Sequence, residues 1–96
     1  MRTVTLVHHR VRDFDAWKQV YDSVRDVQRD GGVRYQRVMR SADDPNMVVV
    51  VHEFESGDAA KAFFDNPALR DAMQRAGVDE SSLRLEFLDD LGGGEL

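Results

Sequence analysis

His9 and His52 are the two residues best suited to act as a base. His9 closes a run of β-branched residues, Thr3 to Arg10, and His52 closes a second such run, Met47 to Glu55. The imidazole group titrates near neutral pH and can take a phenolic or enolic proton. From a phenol or an enol this leaves an electron-rich anion, which dioxygen can attack or which can itself attack a carbonyl within the same molecule. The plainer role for each histidine is structural, hydrogen-bonded at the end of its strand. A shared, solvent-reachable cavity separates the two readings, and a filled interior favours the second.

The third histidine, His8, alternates to the face opposite His9. Neighbouring strand residues diverge, so His8, His9 and His52 do not readily share an ion. With no cysteine in the chain, no thiolate is available to a metal or to nucleophilic catalysis, and a metal is not expected. Trp17, Tyr21, Phe54, Phe63, Phe64 and Met73 are the candidates to line a pocket for a small aromatic molecule. Their alternative is ordinary core packing, and the two roles overlap because small-molecule pockets are largely apolar. Glu53 alternates away from His52 and needs a partner, for which Arg37 is the candidate. No glycine-rich phosphate loop opens a helix, and no serine–histidine–acid spacing is visible.

The elements that must position these groups follow from periodicity. Thr3–Arg10 is a strand with Val4, Leu6 and His8 on one face and Thr5, Val7 and His9 on the other. Asp13 and Asp15 can cap a helix that carries Trp17, Val20, Tyr21, Val24 and Val27 as its apolar stripe. This helix is expected to continue to about Asp30 and end at Gly31-Gly32. Val33–Ser41 is a second, more polar strand, Ala42–Asn46 a turn, and Met47–Glu55 a third strand with four consecutive valines, the mark of burial on both faces. A second helical region starts at Ser56-Gly57-Asp58 and is interrupted at Asn66-Pro67, where a new helix begins with Asn66 as its cap. Leu83–Asp89 alternates as a fourth strand, and residues 92–96 form a flexible tail after one domain over residues 1–91.

The net charge is −5 over 96 residues, with arginines interleaved among aspartates. This speaks against a nucleic-acid partner, which demands a basic face. No apolar run is long enough for a membrane span or a signal peptide, so the cytoplasm is the expected compartment.

A β-α-β-β-α-β order yields an α+β split βαβ fold: a four-stranded antiparallel sheet with its helices on one face. In this reading the first and third strands lie parallel at the centre, with His9 and His52 at the same end. The uncovered face carries Val4, Leu6, Val49 and Val51, and a second copy of the chain is the simplest cover, giving a homodimer.

Beyond these patterns, His9-Arg10-Val11-Arg12-Asp13-Phe14-Asp15-Ala16-Trp17, Arg40-Ser41-Ala42-Asp43-Asp44-Pro45-Asn46 and Glu53-Phe54 resemble the dimeric α/β-barrel proteins of the antibiotic biosynthesis monooxygenase type, which are ferredoxin-like in fold. The resemblance spans nearly the whole chain. It implies a pocket between helices and sheet, and a monooxygenase or cyclase acting on aromatic, polyketide-like molecules with no metal or flavin. Related haem-degrading enzymes use an asparagine near the end of the first strand, a tryptophan on the third and a histidine in the second helical region. Here the first two positions hold His9 and Phe54 and the third has no histidine, so haem degradation is not implied. The alternative to an enzyme is a module that binds a small molecule or serves only in assembly; fold alone does not choose.

Overall fold

A computed structural model describes residues 1–96. The elements run β1 (Thr3–Val11), α1 (Phe14–Ser23), α2 (Arg25–Asp30), β2 (Tyr35–Arg40), β3 (Met47–Phe54), α3 (Gly57–Phe64), α4 (Pro67–Arg75) and β4 (Val78–Asp89). Asp13, Ser56 and Asn66 cap α1, α3 and α4, their side chains accepting from the backbone N–H groups of Ala16, Ala59 and Ala68.

The long first helix is broken. Ser23 Oγ donates to the Val20 carbonyl at 2.7 Å, competing with the backbone ladder. Val24 then leaves helical geometry, at φ −105° and ψ 26°, and the chain resumes as α2. Buried Gln28 on α2 reaches back across the break, its Nε2 donating to the Tyr21 carbonyl at 3.4 Å.

The sheet order is β2-β3-β1-β4, and every neighbouring pair is antiparallel. The parallel arrangement expected for the first and third strands is therefore incorrect. In a split βαβ unit the right-handed crossover makes β1 and β2 parallel, and β3 inserts between them by a hairpin, so it must run against both. β4 also starts earlier than Leu83: Val78 and Asp79 pair with Val11 and Arg10, and the register shifts between His8 and Arg10. Across the shift the Arg10 N–H donates to Ser82 Oγ at 2.8 Å.

All helices cover one face. On β3, residues Val48, Val50, His52 and Phe54 are buried, while Met47, Val49, Val51 and Glu53 are half-buried. One apolar cluster centres on Val7, Val11, Trp17, Val48, Val50 and Ala76, a second on Val33, Phe54, Ala60 and Phe63. On the outer face Glu53 pairs with Arg2 at 3.2 Å rather than with Arg37. Arg37 lies opposite Val51, one rung beyond the Tyr35–Glu53 pair on that face.

Candidate active site

The central strands set the floor. Across β1 and β3 the inward rungs are Thr3–Phe54, Thr5–His52, Val7–Val50 and His9–Val48. His9 and His52 thus share the helix-covered face but not the same end: four residues of strand separate their rungs, about 13 Å. α1 bridges that gap. Trp17 packs on His9 with ring centroids 5.6 Å apart. Tyr21, one turn further on, stacks on Trp17 at 4.9 Å and on His52 at 6.1 Å, within 20° and 22° of parallel. The i, i+4 spacing on one helix face thereby lays four rings in line, from His9 through Trp17 and Tyr21 to His52. Phe54 and Phe63 meet His52 edge-on.

Polar contacts in this line are few. Tyr21 Oη lies 2.9 Å from His52 Nε2 and 3.0 Å from Gln36 Oε1 on β2. Thr5 Oγ1, His9 Nδ1 and His52 Nδ1 are buried on the same face with no partner. Unpaired buried polar atoms call for an explanation, and room for water or for a polar group of a ligand is the usual one. Burial pulls both histidines down to about 4; for His9 the Val7 backbone opposes the shift and His8 adds to it. Both are therefore neutral at pH 7, with a nitrogen lone pair to offer. Burial, reinforced by Asp22, pushes the Tyr21 phenol well up, so it stays protonated.

A cavity of about 60 Å3 opens between this floor and the helices, lined by both histidines together with Trp17, Tyr21, Phe63, Phe64 and Met73. That volume has room for several waters, each of which needs roughly 10–15 Å3 of it. Val7, Phe64, Leu69 and Met73 also line a groove of about 390 Å3 between α4 and β4, where Arg70 and Glu80 supply charge. The inner cavity therefore abuts a larger outer space across α4.

The structure brings His9, His52, Trp17, Tyr21, Phe63, Phe64 and Met73 to one cavity and leaves Phe54 out. Phe54 is fully buried against Phe63 and Phe64. His8 lies on the outer face, half-buried. Sequence reasoning missed Gln36, Gln28 and Thr5. Strand pairing held a signal for two of them, since Gln36 and Thr5 are the cross-strand neighbours of His52 on either side.

A four-stranded antiparallel sheet under helices in β-α-α-β-β-α-α-β order is an α+β ferredoxin-like fold. Residues 11–75 match the sequence profile of the antibiotic biosynthesis monooxygenase family, and the chain belongs to that family, one of monooxygenase-type small-molecule enzymes. Among solved structures it is similar to SnoaB, a cofactor-independent oxygenase from Streptomyces nogalater: TM-score 0.72, 12% identity, 99% of this chain and 96% of that one covered. It is also similar to Rv0793 from Mycobacterium tuberculosis, with TM-score 0.73, 16% identity and 99% and 100% covered. A Bordetella bronchiseptica protein provisionally placed in the same monooxygenase group gives TM-score 0.80 at 11% identity, covering 94% and 97%. At such identities these likenesses speak to fold alone. No curated protein matches the chain in sequence.

Proposed function

We propose that the protein is a cofactor-independent oxygenase of a phenolic or enolic, polyketide-like aromatic molecule, with His52 as general base. The observation that carries this reading is a cavity lined by two neutral histidines whose Nδ1 atoms are buried and unpaired. A ring edge enters the inner cavity and the rest of the molecule occupies the groove along α4. His52 Nδ1 takes the proton from a carbon flanked by the ring system. A base this weak acts because the anion formed beside it favours the imidazolium. Dioxygen adds to the anion's carbon, and the hydroperoxide loses water to leave a carbonyl: a CH2 becomes C=O, and the second oxygen atom leaves as water. His9 and Trp17 hold the far end of the ring system. Cyclisation uses the same first step but consumes no oxygen.

Turnover of an anthrone-type phenol, followed by oxygen uptake, tests this. One equivalent of dioxygen per product is expected, and His52→Ala is expected to lower kcat roughly 100-fold or more while leaving the fold intact. Product formed without oxygen uptake overturns oxygenation in favour of cyclisation, and saturable binding without turnover overturns catalysis.

The outer face supports a homodimer. Val4, Leu6, Val49 and Val51 stay half-buried there, and Glu86, Leu6, Val51 and Arg37 form one row across the sheet. A two-fold axis along the strands sets Glu86 of one copy over Arg37 of the other, with valines and leucines between. The cytoplasm is the proposed compartment; no helix is long and apolar enough to cross a membrane.

A further inference from the structure

We infer that Gln36 is a positioning residue: by accepting a hydrogen bond from the Tyr21 hydroxyl it holds His52 as the Nε2–H tautomer and leaves Nδ1 as the bare nitrogen. This rests on the reading of His52 as base and supplies what that reading lacks, a reason for the base to present one nitrogen rather than the other.

Tyr21 Oη has one hydrogen and two neighbours, Gln36 Oε1 at 3.0 Å and His52 Nε2 at 2.9 Å. An amide oxygen only accepts, so the hydroxyl donates to Gln36. The contact with Nε2 is then a hydrogen bond only if the ring donates. A neutral imidazole carries one ring proton, so Nδ1 has none. The reverse arrangement strands a buried Nδ1–H with no acceptor within reach. Thr5, the rung partner of His52 on β1, carries the other unpaired atom at this spot, Oγ1. Gln36 itself is exposed on β2, so it can be changed without opening the core.

The test replaces an amide, which can do both, by groups that do one thing. In Gln36→Glu the carboxylate only accepts; in Gln36→Lys the ammonium only donates. Long-range proton–nitrogen spectra of the labelled full chain at pH 7 report which ring nitrogen of His52 is protonated, with its signals identified by their loss in His52→Gln. The natural chain and Gln36→Glu are expected to show Nε2 protonated and Nδ1 bare. Gln36→Lys is expected to turn the hydroxyl round and move the proton to Nδ1. With the anthrone-type phenol, kcat then falls roughly 10- to 100-fold with KM within about twofold. An Nδ1–H tautomer in the natural chain, or an unchanged tautomer in Gln36→Lys, overturns the inference. A tautomer that inverts with kcat unchanged supports Gln36's role and overturns His52 as the base.

Discussion

The two faces of the sheet are written in the same strands, one residue out of step. On β3 the even-numbered residues Val48, Val50, His52 and Phe54 lie under the helices, and the odd-numbered Val49, Val51 and Glu53 lie on the open side. The inner face carries rings, neutral imidazoles and unpaired polar atoms around a cavity. The outer face carries mostly aliphatic side chains on its central strands, with Glu53 and His8 among them, and charge on the edge strands at Glu86 on β4 and Arg37 on β2. One face matches the proposed chemistry and the other the proposed association. An equally valine-rich stretch serves both, because alternation is the only property a strand must supply.

The largest effect should come from one substitution made on each side of that divide. Val50→Asp places a carboxylate in the core and is expected to unfold the chain, at a cost of about 4 kcal/mol or more. Val51→Asp, the adjacent residue, is expected to leave a folded single subunit and abolish the dimer. Circular dichroism melts and sedimentation at micromolar concentration read the two outcomes, and a Val51→Asp chain that sediments as a dimer breaks the proposed outer interface.

Acid should act next, through the inner face. His9 and His52 have folded-state values near 4 against 6.5 when free, so the unfolded chain binds the extra protons first. Stability is fully present above about pH 6.5 and is lost as pH falls toward 4, by roughly 3 kcal/mol for each histidine. Denaturant midpoints across pH 7 to 4 should fall steeply in the natural chain and less so in His52→Gln. By the same reasoning, kcat/KM should hold down to about pH 5, where an unshifted histidine base would already be protonated. The smallest effect belongs to the outer edges. Arg37→Glu or Glu86→Arg alone should weaken the dimer by about 0.5–1 kcal/mol, and the double reversal should restore it, as measured by dilution.

Strand alternation, the caps Asp13 and Asn66 and the break at Pro67 were legible because each rests on residue types at short spacing. The aromatic residues of α1 were legible for the same reason, since i, i+4 spacing lined up Trp17 and Tyr21 before any contact was known. What escaped depended on particular bonds rather than on residue pattern. The break at Val24 follows from a serine hydroxyl turning onto its own helix, and the stripe Val20, Val24, Val27 runs through it unmarked. The direction of β3 depended on applying the crossover rule to β1 and β2 before placing the third strand between them. Gln36 is one polar residue on an edge strand, and only its rung partner, His52, gives it meaning. Glu53 found Arg2, which precedes the first strand, a pairing that no local pattern records.

The run Val48-Val49-Val50-Val51 is blind to its own alignment. Sliding β3 by a single residue exchanges valine for valine and changes almost nothing over those positions. It would, however, bring Glu53 under the helices and turn His52 and Phe54 out to the open side. The residues that follow the run thus act as its reading-frame mark: the strand locks where its imidazole meets the helices, and a chain that folds in the wrong frame leaves the inner cavity without His52.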